Sequence, residues 1–246
     1  PHEFPWLVRI GRNTEDLITN FIGGCLISPT HVITAAQNVA HWIFQDIYVG
    51  VGIHNLKAFR REEEGYKIKV AKIIVHQEFV TSASTQTLYD MAVLRLVEPV
   101  KIDDKHEIST IDLPKKDTIY EENTGWVAGW GTTSMTRSEP SESLKKTPIQ
   151  LWERNARNKH LKMHSLPEDS LIVVRFPMAI DYCADTGSPV MIRNNKGHYE
   201  LAGLVTFGRI CRCVRKNCQA GCYVSTEFLL EWIKEVTKND KKLWPK

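Results

Sequence analysis

Short apolar runs dominate the pattern of hydrophobic and polar positions along this chain. They are rich in β-branched residues, are bounded by Gly, Pro, Asn or His, and include residues 6–10, 46–50, 69–75, 91–96, 126–131 and 201–208. Runs of this kind are typical of strands. Many short strands without intervening helical patterns predict an all-β protein, a barrel or a sandwich, and the runs are numerous enough for two barrels.

Helical spacing is convincing only near the C-terminal end. There the apolar side chains recur at the interval of one helix face: Phe228, Leu229, Trp232, Ile233 and Val236. Thr226 precedes them and is a residue type that caps helix N-termini. We therefore predict a helix over about 226–240 that packs on one barrel. The Ser- and Thr-rich segment 135–146 predicts an exposed loop.

Composition limits the classes of protein that fit. The chain has 246 residues, of which 42% are hydrophobic and 25% charged, which is ordinary for a soluble domain with a sizeable core. No apolar run approaches the roughly 18 to 20 residues that span a bilayer, so no membrane span is predicted. A net charge of +3 is too small to indicate nucleic acid as a partner. Six cysteines favour a secreted protein, whose signal segment would already have been removed.

A series of motifs along the chain carries a family resemblance. In order they are EFPW at 3–6, GGCLIS at 23–28, VITAA at 32–36, DMAVLRL at 90–96, GWG at 129–131, DTGSP at 185–189 and GLVTFG at 203–208. Their order and spacing resemble the trypsin/chymotrypsin-like serine proteases over essentially the whole chain, residues 1–246. The resemblance implies one peptidase domain with two six-stranded antiparallel barrels, at about 5–110 and 120–225. An active cleft would lie between the barrels, and a helix would follow them.

The residues at the triad positions of that family do not suit its chemistry. By the resemblance, Asp90 matches the acid that orients the catalytic histidine, Gln37 occupies the position of that histidine, and Thr186 occupies that of the nucleophilic serine. A glutamine amide has no titratable proton near neutral pH and cannot act as the base. Without a base a threonine hydroxyl remains a poor nucleophile. We therefore predict a proteolytically inactive homologue, a pseudoprotease.

The oxyanion loop is shortened as well. The family usually has two residues between the cysteine and the aspartate of its nucleophile motif, whereas Ala184 alone separates Cys183 from Asp185. We expect this loop not to present both backbone donors. The loss of one such donor typically removes about 3–4 kcal/mol of transition-state stabilisation.

The resemblance also places a primary specificity pocket, at Asp181, Tyr182, Phe207, Gly208 and Ile210. Asp181 matches the position that gives trypsin its preference for Lys and Arg. Tyr182 and Ile210 stand where small residues are usual, and they are bulky enough to fill or cover the pocket. Two interpretations of Asp181 stay open: a solvated or internally paired loop carboxylate, and the base of a cation-binding pocket.

The segment before Pro5 is shorter than the one that carries the activation switch in the family. Only four residues precede Pro5, whereas the family has about a dozen between the newly cut amine and this proline. Either the chain is truncated or the switch is absent. Asp185, which would pair with that amine, then needs another partner, because a buried unpaired carboxylate is costly.

The cysteines depart from the family pattern. Ile22 and Asn38 stand at the two positions of the disulfide that flanks the catalytic histidine. The resemblance pairs Cys183 with Cys211 beside the primary pocket. The other four cysteines allow three pairings. In one of them Cys213 and Cys218 close a small loop, which leaves Cys25 and Cys222 to pair or to remain free.

Neither a metal nor a cofactor is predicted. The cysteine spacing is unlike paired Cys-x-x-Cys zinc sites. Aligning residues 52–55 with the calcium loop found in some family members puts Ile53 and Arg60 at two usual carboxylate positions. The acidic run 62–64 is then most simply a solvated face.

Two basic clusters are candidate contact surfaces. The first contains Arg154, Arg157 and Lys159, and the second contains Arg209, Arg212, Arg215 and Lys216. Each is either ordinary solvated surface or, if the clusters meet around the cleft, a site for acidic protein or sulfated polysaccharide.

The leading functional hypothesis is a secreted, inactive homologue that acts on an extracellular protein partner as a regulator, cofactor or decoy. The alternative is a polyanion- or heparin-binding protein that uses the basic loops. A third hypothesis, weak endopeptidase activity through Thr186, is disfavoured by Gln37.

Overall fold

A computed structural model describes residues 3–19, 21–43, 46–81, 87–102, 107–116, 118, 120, 124–131, 141–175, 185–206 and 220–239. Two closed six-stranded antiparallel barrels make up the fold, which confirms the all-β prediction and the two barrels implied by the resemblance. No helix in these ranges is long and apolar enough to cross a membrane.

The first barrel closes in the order β1-β2-β3-β8-β5-β4. Its strands, together with the small β6–β7 pair beside them, are β1 Leu7–Gly11, β2 Ile22–Ser28, β3 His31–Thr34, β4 Tyr48–Val51, β5 Tyr66–Val75, β6 Val80–Thr81, β7 Thr87–Leu88 and β8 Ala92–Leu96. The period of two along a half-buried strand is visible in β5, where Ile68 and Val70 are buried and Lys67 and Lys69 are exposed.

The second barrel closes in the order β10-β11-β14-β13-β12-β9. Its strands are β9 Thr124–Gly129, β10 Lys145–Leu151, β11 Leu171–Arg175, β12 Pro189–Arg193, β13 Tyr199–Leu204 and β14 Ala220–Ser225. Buried side chains such as Val127, Ile149, Ile172 and Val190 form its core. The barrels pack on each other, and the Trp6 indole donates a hydrogen bond of 3.0 Å to the sulfur of Met191.

In the part of the chain that the structure describes, five helices lie outside the barrels: α1 Asp16–Thr19, α2 Ala36–Val39, α3 Leu56–Arg60, α4 Arg154–Met163 and α5 Leu230–Thr237. The predicted C-terminal helix is present, but it begins at Leu230. Thr226 is buried and does not cap it, because a tight turn comes first, in which the amide of Leu229 bonds the carbonyl of Thr226 at 3.2 Å.

The sequence pattern missed α4. Within this helix only Leu161 is fully buried, so the apolar periodicity that reveals a helix is absent. The prediction of an exposed loop over 135–146 was wrong at its end, where Lys145 and Lys146 begin β10. Lys146 lies over the Trp126 ring, 4.5 Å from its centroid, and pairs with Glu3 at 2.6 Å. Residues 132–140 lie outside the described ranges.

Candidate functional site

The side chain of Gln37 is bound to the carboxylate of Asp90. Gln37 lies in the first turn of α2, directly after β3, and its backbone N–H donates to Oδ1 of Asp90 at 2.8 Å. The side-chain Nε2 donates to Oδ2 at 2.7 Å. Asp90 is fully buried, so both carboxylate oxygens depend on protein donors. The amide therefore orients on the acid but offers no proton that can be moved near neutral pH.

Aromatic packing fixes the segment that carries Asp90. Tyr89 has φ of +56°, a left-handed conformation that a bulky residue adopts only where its surroundings hold it. Its ring stacks on His76, with centroids 4.7 Å apart, and meets Phe228 at 5.5 Å. His76 also lies 4.9 Å from the ring of Trp232 in α5. The C-terminal helix thus braces the position of Asp90 from outside the first barrel.

A tight turn over residues 185–188 presents Thr186. The amide of Ser188 bonds the carbonyl of Asp185 at 2.9 Å, and the amide of Gly187 bonds that of Val205 at 2.7 Å. Gly187 has φ of +93°, and a Cβ there would collide with the carbonyl oxygen of Gly23. Only glycine fits. The turn of the nucleophile motif is therefore built as the motif requires.

The two barrels meet at Thr186. Its carbonyl oxygen accepts from the amide of Gly23 at 3.0 Å and from Nδ2 of Asn38 at 3.4 Å. Asn38, at one of the two positions of the lost disulfide, thus makes a polar contact between barrels. Within the described ranges no hydrogen bond joins the hydroxyl of Thr186 to Gln37. The described site contains an orienting acid and a hydroxyl without a proton relay between them.

Asp185 has the partner that the sequence could not name. As a residue it is half-buried, and its carboxyl group points inward, where Oδ2 accepts from the backbone N–H of Trp130 at 2.7 Å. Burial raises the pKa of Asp185 to about 7, against the opposing effects of the Trp130 N–H and the charge of Arg9. Arg9 is the cation that faces this carboxyl group.

Arg9 lies in the middle of β1 and is completely inaccessible to solvent. Its Nη2 donates to the carbonyl of Ile18 at 3.1 Å, and its guanidinium group covers the Phe21 ring, 3.0 Å from the centroid. Burial lowers the pKa of Arg9 to about 9, and the charge of Asp185 opposes this. Arg9 therefore remains protonated at neutral pH. The sequence contained one signal of a buried charge here: Arg9 is the single charged residue in an otherwise apolar strand.

Several predicted positions lie outside the described residues. They are the pocket residues Asp181, Tyr182, Phe207, Gly208 and Ile210, the shortened loop with Ala184, the cysteines Cys183, Cys211, Cys213 and Cys218, and the basic loop with Arg209, Arg212, Arg215 and Lys216. The pocket, the oxyanion loop and these pairings stay predictions. Cys25 is a free, buried thiol on β2, so the alternative that pairs it with Cys222 is wrong.

The first basic cluster lies on and beside α4 and is partly neutralised within the protein. Arg154 forms two hydrogen bonds with Asp169, at 3.0 and 2.5 Å, and Arg157 pairs with the same carboxylate. Burial alone would raise the pKa of Asp169, but the hydrogen bond from Arg154 and the charge of Arg157 lower it. Lys159 is exposed. Of the cluster's three named cations, two are thus committed to an internal carboxylate.

The acidic run 62–64 is not entirely a solvated face. Glu62 and Glu63 are exposed, but Oε1 of Glu64 accepts from the backbone N–H groups of His54 and Asn55, the latter at 3.1 Å. Through these hydrogen bonds the Glu64 carboxylate stabilises the backbone of the loop at residues 54 and 55. Among the described side chains, no group of His, Cys, Asp and Glu is arranged to hold a metal ion.

Gln37→Glu is expected to destabilise the protein at neutral pH. The new carboxylate would face the buried carboxylate of Asp90 at hydrogen-bonding distance, and two like charges cannot both ionise there. We expect a loss of about 2–4 kcal/mol in the free energy of unfolding at pH 7.5. The loss should shrink toward pH 5, because the proton that the folded pair must hold is bound more readily as the pH approaches the ordinary pKa of a carboxyl group. Urea unfolding at both pH values measures this, with the exposed Gln150→Glu as a matched control away from the site. A pH-independent loss would contradict the geometry.

The comparisons with known proteins agree with this architecture. A family model described as Trypsin matches residues 1–233, and the chain belongs to the trypsin family. It is 30% identical over 236 residues to glucanase inhibitor protein 3 of Phytophthora sojae, covering 93% of this chain and 83% of that protein. It is 26% identical to the proclotting enzyme of Tachypleus tridentatus, covering 94% of this chain and 62% of that protein.

Among solved structures, the fold is similar to that of neuropsin, a serine protease expressed in the limbic system of mouse brain. The TM-score is 0.74, with 96% of each chain covered and 20% sequence identity. This likeness concerns the fold. The family model and the relatives confirm the family predicted from the motifs, and the relatives' names include both an inhibitor and an enzyme.

Proposed function

We propose that this protein is a proteolytically inert member of the trypsin family that acts by binding. The observation that carries the proposal is the pair of hydrogen bonds from Gln37 to Asp90, at 2.8 and 2.7 Å. These bonds commit the acid that orients a catalytic histidine to an amide that cannot transfer protons. Among the described residues no hydrogen bond joins the hydroxyl of Thr186 to Gln37, and without a base this hydroxyl remains a poor nucleophile.

The parts of the site that are retained support a binding function better than they support an enzyme that has merely lost its activity. Gly187 in its left-handed turn, the buried Asp185 and the contact of Asn38 with Thr186 keep the junction of the barrels ordered. A rigid scaffold of this kind presents loops whose sequence is free to change partner. We infer a secreted protein that serves an extracellular partner as regulator, cofactor or decoy.

Similarity to proteins named glucanase inhibitors makes a secreted enzyme the partner class of choice. The names of the inhibitor relatives and the geometry at Gln37 both favour a binding function. The name of the proclotting enzyme favours an enzyme instead. A purified glucanase assayed with rising amounts of this protein tests the choice directly. A stoichiometric fall in glucan hydrolysis is expected, and unchanged hydrolysis would remove glucanases as the partner class.

Proteolytic inertness has its own experiment. We expect no labelling by a fluorophosphonate probe and no turnover of peptide thioesters above the level of Thr186→Ala, with active trypsin as the positive control. Labelling that disappears in Thr186→Ala would show instead that Thr186 is a working nucleophile. That result would replace the proposal by weak endopeptidase activity.

A further inference from the structure

A wide cleft lies between the second barrel and α5, and it shares no residue with the site described above. Its walls are formed by residues 110–116 and 118, by the β12–β13 hairpin and by α5. Its volume is about 910 Å³. That is near the upper end of the range for small-molecule sites, roughly 300–1,000 Å³. The cleft is therefore large enough to hold several sugar units or a short peptide.

Positive charge dominates the lining of the cleft. Its cations are Lys115, Lys116, Arg193, Lys196 and Lys234, against the carboxylates of Asp112 and Glu200. Both carboxylates have partners within the protein. Glu200 accepts from the hydroxyl of Tyr120 and from Nδ2 of Asn194, each at 2.8 Å, and Asp112 lies 3.6 Å from the ring of His198.

Most of the cations are not neutralised by the fold. Lys234 is paired with Glu231 at 2.8 Å, and after Lys234 itself the charge of Lys116 also lowers the pKa of Glu231. Among the residues that the structure describes, no carboxylate oxygen lies within 4.0 Å of the side-chain nitrogens of Lys115, Arg193 and Lys196. All three side chains are exposed. Several like charges converging on one concave surface create a field that attracts an anion carrying several charges.

The remaining lining groups favour a carbohydrate over a nucleic acid or an apolar peptide. Thr110 and Asn195 supply a hydroxyl and an amide for hydrogen bonds to sugar hydroxyls, whereas Asn194 and Thr118 are already bonded to Glu200 and to the carbonyl of Lys115. Nucleobase binding depends on exposed aromatic faces. Of the two rings among the described lining residues, Tyr120 is half-buried and bonded to Glu200, and His198 lies 3.6 Å from Asp112. The sequence after α5 adds further positive charge on the same end of the chain, at Lys238, Lys241, Lys242 and Lys246.

We propose that this cleft is a binding site for a sulfated oligosaccharide, in which Lys115, Arg193 and Lys196 contact sulfate groups. Its cations are not those of the two basic clusters seen in the sequence. Arg154 and Arg157 of the first cluster are committed to Asp169, whereas the cations of the cleft come from separate segments that only the fold brings together.

The test uses a heparin hexasaccharide and the full-length chain. We expect binding at low ionic strength that weakens steeply with salt, because the charges are exposed and screened. The triple variant Lys115→Gln/Arg193→Gln/Lys196→Gln is expected to lower the affinity at least tenfold. The matched control Lys69→Gln/Lys72→Gln/Lys145→Gln removes the same charge from exposed lysines outside the cleft and outside both basic clusters, and it should change the affinity less than twofold. Thermal unfolding of both variants verifies that the fold is intact.

Three outcomes would overturn the proposal. Equal losses in both variants would show a nonspecific charge effect. Binding of a polyglutamate peptide as tight as that of the hexasaccharide would show an acidic peptide site instead. No binding at low salt would show that the cleft does not attract a polyanion. None of these results depends on whether Thr186 is inert, so they are separable from the test of inertness.

Discussion

Arg9→Met is expected to lower the free energy of unfolding by about 1–3 kcal/mol at pH 8, a range typical of a destabilising single substitution. Methionine preserves much of the length and apolar volume of the side chain but leaves the carboxyl group of Asp185 without its cation. The contact with the Phe21 ring and the hydrogen bond to Ile18 are lost as well.

The pH dependence separates the charge from these other losses. The pKa of Asp185 in the folded protein, about 7, lies above the ordinary value of 3.8, so the contribution of this group is present below about pH 4 and is lost as the pH rises through 7. Without Arg9 this pKa rises further. At pH 5 the carboxyl group is protonated in both folded proteins, and the penalty of Arg9→Met should be clearly smaller than at pH 8.

Two controls complete the measurement, which is urea unfolding at pH 5 and pH 8. Arg12→Met removes an exposed cation that pairs with Asp16 at 3.3 Å, and it should change stability by less than about 1 kcal/mol. Asp185→Asn combined with Arg9→Met should remove most of the pH-dependent part of the loss. If the double variant keeps the full dependence on pH, Arg9 does not neutralise Asp185.

Gln37→His combined with Thr186→Ser is expected to yield an enzyme at least a hundredfold below an active family member in kcat/KM for a peptide ester. The orienting carboxylate is already in position, since Asp90 holds the side chain at position 37 through a bond of 2.7 Å. Base and nucleophile are therefore recoverable. The sequence predicts that the shortened loop at Ala184 lacks an oxyanion donor, and one donor is worth about 100- to 1,000-fold in kcat.

A third change tests that explanation. Inserting a glycine between Ala184 and Asp185 in the double variant restores the family's loop length, and we expect the rate to rise at least tenfold. Asp90→Asn in the same background should then abolish the gain, because the acid orients the new histidine. If the double variant alone matches trypsin in ester hydrolysis, the loop is not limiting, and the two triad substitutions suffice to explain the loss of chemistry.

Much of the fold could be predicted because it depends on local pattern. Alternation and β-branched content marked strands such as β5 and β8, and glycine positions marked the turn at Gly187. Helix α4 escaped because its exposed, charged faces leave only Leu161 to signal it. Thr226 has the chemistry of a helix cap, but the chain there forms a tight turn first, so the local preference was overridden.

The candidate site was also predictable only in part. Gln37, Asp90 and Thr186 were recognisable because their motifs are contiguous in sequence. The partner of Asp185 was not, because Arg9 lies 176 residues earlier and faces it only when the barrels pack together. The pairing of the first basic cluster with Asp169 could not be predicted either, since Arg154 and Arg157 reach this carboxylate only through the turn that follows α4.

By itself, the sequence determined the family, the two barrels and the residue types at the positions of the triad, because apolar periodicity and short motifs are local properties. Only the tertiary structure decided that Gln37 holds Asp90, that Arg9 faces Asp185, and that lysines and an arginine from three segments line one cleft. The physical reason is that electrostatic interactions depend on distance and burial in space. Residues far apart along the chain come close together and become buried only when the barrels close and pack.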